Sequence, residues 1–120
     1  MKNVLIVDDS EPIRNQVARA LEAAGFAVLQ ASDGLEGLER ARTPGLSMII
    51  LDVNMPGLSG LDLLDRLKAD GLTKRVPVLM LTTEAHSAMV LRAQEAGAKG
   101  WLIKPVRMEM LVSAVNRLVP

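Results

Sequence analysis

Three carboxylates, one hydroxyl and one ammonium group stand at the ends of short apolar runs in this 120-residue sequence. Asp8 and Asp9 follow the first run, Asp52 follows the third, Thr82 closes the fourth, and Lys104 follows the fifth. Continuous apolar runs of this length predict strands that are buried on both faces. If those strands form one parallel sheet, all of these polar side chains converge at its carboxyl edge.

A cluster of this composition has a definite chemistry. Carboxylates about 4 Å apart repel each other by roughly 4 kcal/mol per pair at an effective dielectric of 20, so three of them need compensation. Mg²⁺, or Mn²⁺ in its place, prefers oxygen ligands and supplies the charge, and Lys104 adds more. A carboxylate beside such a cation can attack phosphorus and form an aspartyl-phosphate. The cation and Lys104 would then neutralise the phosphoryl oxygens, and the Thr82 hydroxyl could donate to one of them.

Five strand–helix units in strict alternation carry these residues. Strands are predicted at residues 4–7, 26–29, 48–51, 78–81 and 101–103. Helices are predicted from the Ser10 cap to Gly25, from Ser32 or Asp33 to before Pro44, through residues 61–68, and at residues 84–96 and 107–118. Alternation of this kind predicts an α/β fold, a doubly wound five-stranded parallel sheet with helices on both faces. Right-handed crossovers favour the flavodoxin-like strand order 2-1-3-4-5, in which strands one and three flank the ligand-binding crevice.

Composition narrows the class of protein. The length fits one domain, residues 1–120, and 14 basic residues balance 14 acidic ones, so direct nucleic-acid binding is not expected. Without cysteine, thiolate metal sites and disulfides are excluded, and the one histidine, His86, cannot build a metal site alone. No apolar run is long enough for membrane insertion, and Met1 leads almost directly into a strand, which leaves no room for a signal peptide. We therefore expect a soluble cytoplasmic protein.

The order and spacing of these motifs resemble a known signature. Residues 4–10 (VLIVDDS), residues 49–57 (IILDVNMPG), Thr82 and the pair Lys104-Pro105 resemble the receiver domain of two-component response regulators over essentially the whole chain. The resemblance implies that Asp52 is the phosphoacceptor, that Thr82 and Lys104 bind the phosphoryl group, and that Pro105 forms a cis-proline turn. The metal ligands that it implies are Asp8, Asp9, Asp52 and the backbone carbonyl of Asn54.

Three further positions bear on switching and on phosphoryl lifetime. In the family, the positions of Asn54 and Glu84 influence how water reaches the phosphoryl group, and these two residue types are similar to those of chemotaxis-type single-domain regulators. A fairly short-lived phosphoryl state is the resulting hypothesis. Trp101 is a departure, because receivers usually carry Tyr or Phe there as the ring that moves with the threonine. Tryptophan is bulkier and its N–H needs a partner when buried, which puts coupled switching with Thr82 in question.

The resemblance also implies partners. A sensor histidine kinase would be the phosphodonor and a protein target would bind the surface formed by residues 84–96 and 99–118. Such a protein is a signalling switch, an enzyme only toward its own phosphorylation and dephosphorylation. Asn54 and Glu84 favour a freestanding regulator; the alternatives are a receiver excised from a longer regulator with a DNA-binding or enzymatic output domain, and a phosphorelay intermediate.

Two other functions fit less well. A haloacid-dehalogenase-type phosphatase needs a second acid two residues after its nucleophile, where this chain has Asn54, and it places the nucleophile after strand one. A flavin carrier needs a Ser/Thr/Gly-rich phosphate loop after strand one and aromatic rings around the flavin. This chain has Asp-Asp-Ser-Glu-Pro there, and Phe26 and Trp101 are its only aromatic residues.

Overall fold

The computed structural model describes residues 1–84 and 86–120 and contains the five expected strand–helix units. The strands are β1 (Asn3–Val7), β2 (Ala27–Ala31), β3 (Leu46–Asp52), β4 (Val78–Thr82) and β5 (Gly100–Ile103). The helices are α1 (Glu11–Ala23), α2 (Gly34–Arg40), α3 (Gly60–Ala69), α4 (Ser87–Glu95) and α5 (Met108–Leu118). Every strand pair is parallel, and the order β2-β1-β3-β4-β5 confirms the prediction.

Element ends differ from the expected ones in a few places. β2 begins at Ala27, one residue later than expected, with Phe26 buried just before it. α4 begins at Ser87, whereas the helix was expected from residue 84; residue 85 lies outside the described residues. The Glu84 N–H donates instead to the Thr82 hydroxyl at 3.2 Å, a local turn that competes with helix initiation. A short 3-10 helix, Leu72–Lys74, had no counterpart in the prediction.

The sheet separates two apolar layers. Val4 and Ile6 of β1 contribute to the layer under α1 and α5, whereas Leu5 and Val7 contribute to the layer under α2, α3 and α4. Because both faces of the central strands are covered, these strands contain almost only apolar residues, and polar side chains are confined to the strand ends. Within the described part of the chain, no helix has the length and apolar character needed to cross a membrane.

The start of α3 fixes the position of the loop that follows β3. The Ser59 hydroxyl caps α3 by accepting a hydrogen bond from the Asp62 N–H at 3.2 Å. The Gly60 N–H donates to the Val53 carbonyl oxygen at 3.0 Å, and a Cβ on Gly60 would lie 2.0 Å from the Asp52 carbonyl oxygen. Only glycine allows this approach. The helix therefore packs directly on the backbone that carries Asp52.

Candidate functional site

Strand register brings the polar residues together at the carboxyl edge of the sheet. Val7 of β1 pairs with Leu51 of β3, so Asp8 and Asp52 follow side by side. Thr82 of β4 pairs with Ile103 of β5, which places the next residue along, Lys104, at the same edge. The convergence that the sequence predicted is therefore confirmed, and it lies where the strand order reverses.

Three carboxylates form the centre of the site. One carboxylate oxygen from each of Asp8, Asp9 and Asp52 lies within 4.8 Å of the others. Asp8 and Asp52 are buried, whereas Asp9 is exposed. Burial of two like charges is costly unless a cation pairs with them. The arrangement therefore requires positive charge close to Asp8 and Asp52.

Lys104 supplies part of that charge. Its Nζ lies 2.8 Å from Asp8 Oδ2 and 3.4 Å from Asp52 Oδ1, and its side chain is only 14% exposed. Burial alone would lower the pKa of Lys104, but the hydrogen bond and charge of Asp8 outweigh it and raise the pKa. Burial and the Asp8 charge raise the pKa of Asp52 to about 6, although Lys104 and the Asn54 N–H oppose the rise. The Asp52 carboxylate is thus poorly compensated by the protein alone.

Two hydrogen bonds that the sequence did not suggest hold Asp8 in place, one to its side chain and one to its backbone carbonyl. Its Oδ1 accepts a hydrogen bond from the Ser10 N–H at 2.9 Å, and its carbonyl oxygen accepts one from the Arg14 guanidinium at 2.7 Å. Gln30 of β2 in turn accepts from Arg14 Nε at 3.2 Å. Arg14 therefore fixes the start of the acidic pair from α1. An arginine on a helix face carries no signal in sequence that would single it out.

Asn54 connects the acceptor loop to the end of β4. Its backbone N–H donates to Asp52 Oδ1 at 3.2 Å. Its side-chain Nδ2 donates to Thr83 Oγ1 at 3.0 Å and approaches Thr82 Oγ1 at 3.5 Å. Thr82 is buried, and its hydroxyl also accepts the Glu84 N–H. Asn54 and Thr82, both expected at the site, therefore contact each other, whereas the contact with Thr83 was not anticipated.

The remaining expected positions lie at the rim of the site or beside it. Glu84 is exposed, and its carboxylate lies 3.0 Å from His86 Nε2. The Lys104–Pro105 peptide bond is cis, as the resemblance implied. Trp101 of β5 is half-buried against the layer that includes Met80, and its Nε1 is buried without a hydrogen-bond partner among the described residues. The concern about a buried indole N–H is therefore justified.

The donor set fits a hard divalent cation. Three carboxylate oxygens within 4.8 Å and the absence of thiolates match the ligands that Mg²⁺ and Mn²⁺ prefer. The poorly compensated charge on Asp52 gives the same indication. Asp8, Asp9 and Asp52 are the side chains that would hold the ion, and the Asn54 carbonyl stays a predicted ligand.

Comparison with known proteins leads to the same class. The family model described as the response regulator receiver domain matches residues 4–116. The chemotaxis protein CheY-3 of Vibrio cholerae is 36% identical over 116 residues, which cover 96% of this chain and 89% of that protein. Both matches are to the receiver class, and not to the dehalogenase-type phosphatases or flavin carriers that the sequence also suggested for comparison.

Solved structures agree with the fold. The structure of the chemotaxis protein CheY4 of Vibrio cholerae superposes with a TM-score of 0.92 at 39% identity and covers 99% of both chains. A response regulator protein from Burkholderia pseudomallei superposes with a TM-score of 0.86 at 34% identity, covering 95% of this chain and 66% of that one. That structure is described as containing a phosphorylated aspartic acid, a calcium ion and citrate.

Proposed function

The chain belongs to the response regulator receiver domain family, and from that premise we propose that it is a phosphorylation-activated signalling switch whose acceptor is Asp52. One observation carries the assignment: Asp52 is buried between two other carboxylates and the Lys104 ammonium, at the point where the strand order reverses. The related structure from Burkholderia pseudomallei, with its phosphorylated aspartic acid, supports the same chemistry.

The transfer step uses residues already in place. An Asp52 Oδ atom attacks phosphorus, and the new O–P bond forms as the P–N bond to the histidine of a sensor kinase breaks. The imidazole nitrogen keeps the electron pair. Lys104, 3.4 Å from Asp52, neutralises charge on the phosphoryl oxygens. Mg²⁺ or Mn²⁺ bound by Asp8, Asp9, Asp52 and the Asn54 carbonyl would neutralise more of that charge.

Switching starts at Thr82. Its hydroxyl now accepts hydrogen bonds from the Glu84 N–H and, more distantly, from the Asn54 amide. A phosphoryl group on Asp52 offers a charged acceptor, so the hydroxyl turns to donate to it. That movement pulls on the loop between β4 and α4. The indole N–H of Trp101, which has no partner among the described residues, can gain one as the packing changes.

The output surface that we propose is formed by α4, β5 and α5. Three large apolar side chains on this surface are at least half exposed: Leu91, Ile103 and Met110. Binding of a protein target is a natural use for such side chains on a charged exterior. CheY-type receivers take phosphate from histidine kinases and act on downstream targets, and we assign a donor and a target of those classes to this protein.

We also propose that this receiver domain acts as a freestanding protein. Similarity to chemotaxis proteins over nearly the whole length favours a freestanding cytoplasmic regulator with one domain, residues 1–120. The alternatives are a receiver within a longer regulator and a phosphorelay intermediate. A phosphorelay intermediate would pass its phosphoryl group to a second histidine protein, which a transfer assay with candidate histidine phosphotransfer domains detects.

Intact-mass spectrometry after incubation with Mg²⁺ and acetyl phosphate tests the assignment. We expect a gain of one phosphoryl group in the wild type and in Asp70→Asn, an exposed aspartate outside the site. We expect no gain in Asp52→Asn or in the wild type with excess EDTA. Labelling of Asp52→Asn would show that another residue is the acceptor. Labelling in EDTA would show that the reaction does not need a metal ion. A half-life of hours would contradict the short-lived state.

A further inference from the structure

Thr83 places a second hydroxyl beside the site. Its side chain is exposed, and its Oγ1 accepts the shorter of the two side-chain hydrogen bonds from Asn54, at 3.0 Å against 3.5 Å to Thr82. A carboxamide nitrogen carries two hydrogens, so these two hydroxyls can occupy both. The Asn54 Oδ1 atom is then the part of the amide that can accept a hydrogen bond from water.

The hydroxyls of Thr82 and Thr83 are expected to behave differently when Asp52 is phosphorylated. The Thr82 hydroxyl already accepts the Glu84 N–H at 3.2 Å and is the one that turns toward the phosphoryl group. Its 3.5 Å contact with Asn54 is long for a hydrogen bond and would break if the hydroxyl turned toward the phosphoryl group. Within the described residues, the Thr83 hydroxyl makes a side-chain hydrogen bond with Asn54 alone. In the phosphorylated protein, its hydroxyl is the group that keeps the Asn54 amide in place.

We propose that Thr83 is a positioning residue for dephosphorylation. Its hydroxyl holds the Asn54 amide so that Oδ1 orients the water that attacks phosphorus. The water oxygen bonds to phosphorus as the bond from phosphorus to the Asp52 oxygen breaks. Asp52 is restored as a carboxylate, and both hydrogens of the water leave on inorganic phosphate. The inference rests on the proposed function, because it presupposes a phosphoryl group on Asp52.

Substitutions at Thr83 can separate its hydroxyl from its methyl group. Thr83→Val keeps the shape and loses the hydroxyl, whereas Thr83→Ser keeps the hydroxyl and loses the methyl. Each protein would be phosphorylated with Mg²⁺ and acetyl phosphate and freed of donor by gel filtration in Mg²⁺. The first-order loss of the phosphoryl mass would then be followed. Because Thr83 is exposed, unfolding in urea is expected at the same midpoint in all of them.

We expect Thr83→Val to slow the loss of phosphate by about three- to tenfold, the effect of one hydrogen bond. Thr83→Ser should decay within twofold of the wild type. In an Asn54→Ala background, threonine and valine at position 83 should decay alike, because the amide that Thr83 holds is gone.

Other results would overturn the role of Thr83. Wild-type decay in Thr83→Val with altered decay in Thr83→Ser would mean that the methyl group limits access and that the hydroxyl does nothing. Faster decay in Thr83→Val would mean that the bond restrains Asn54 from helping water. An undiminished effect in the Asn54→Ala background would remove Asn54 from the mechanism. Failure of the wild type to be labelled appears before any decay is measured, and it overturns the proposed function itself.

Discussion

Two clusters in this protein each combine two aspartates with one basic side chain, and they differ in their surroundings. The first, the buried triad, consists of Asp8, Asp52 and Lys104. The second, the surface triad, joins α3 to α4 and consists of Asp62, Asp65 and Arg92. Each places one cation within 3.4 Å of two carboxylates. The acids of the buried triad are at most 2% exposed, whereas those of the surface triad are half exposed.

The two surroundings shift the pKa of an aspartate in opposite directions. In the buried triad, burial and the neighbouring Asp8 raise the pKa of Asp52 to about 6 even though Lys104 is close. In the surface triad, the hydrogen bond from Arg92 lowers the pKa of Asp62. A cation of equal charge is therefore enough at the surface and insufficient in the interior. The buried triad therefore still lacks positive charge, which suits a site for a divalent metal ion.

Removing the cation from each triad should give the largest difference. Lys104→Met leaves two buried carboxylates without their cation, and we expect it to lower the free energy of unfolding by roughly 3 kcal/mol. Arg92→Met should cost no more than about 1 kcal/mol, because water solvates the acids that it leaves. Urea unfolding at pH 7.5 in EDTA measures both.

Methionine keeps most of the aliphatic length of either side chain, so the packing loss is similar in the two variants. Equal losses of stability in Lys104→Met and Arg92→Met would contradict the comparison, since they would show that burial does not decide the importance of the cation.

Neutralising an acid should change stability with opposite sign in the two triads. Because the pKa of Asp52 rises from 3.8 to about 6 on folding, the folded state binds this proton more tightly, and stability is lost as pH rises between those values. Asp52→Asn lacks that loss. We expect it to be more stable than the wild type by about 2–3 kcal/mol above pH 6.5 in EDTA, with the gain disappearing below about pH 4.

Asp62→Asn is the matched control. The pKa of Asp62 is lowered in the folded state, so its stabilising effect is present above the ordinary pKa of an aspartate and is lost as pH falls. The variant should be no more stable than the wild type at pH 7, and any difference should shrink at low pH. Urea unfolding from pH 4 to 8 compares the two variants, and a gain in Asp62→Asn similar to that in Asp52→Asn would contradict the role of burial.

The two triads also differ in how well the sequence predicts them. The buried triad can be predicted from the apolar runs. These runs define parallel strands, and Asp8, Asp52 and Lys104 come directly after three of the runs. The surface triad joins residues 27 and 30 positions apart on two helices. Their contact depends on how α3 and α4 rotate and pack, and the apolar pattern does not determine charged contacts on the outer faces of helices.

Loop conformation limits prediction at the site itself. Asn54 and Glu84 were expected to influence water, but the hydrogen bond from Asn54 to Thr83 depends on side-chain torsions that no spacing specifies. Glu84 was expected in the first turn of a helix, where an acid suits the helix dipole. The buried Thr82 hydroxyl accepts its N–H instead, and α4 begins three residues later, at Ser87. Tertiary placement of Thr82 therefore overrides the local preference.

Salt should give the smallest effect and the sharpest contrast in mechanism. The Arg92 side chain is 47% exposed, so added salt screens the ion pairs between α3 and α4; the Debye length is about 3 Å at 1 M salt. We expect the small stability difference between Arg92→Met and the wild type to vanish in 1 M NaCl. The difference for Lys104→Met should persist there, because buried charges are screened far less. If the stability difference for Lys104→Met also vanished in 1 M NaCl, dissolved ions would be screening the charges of the buried triad. Burial would then not be the reason that Asp8 and Asp52 depend on Lys104.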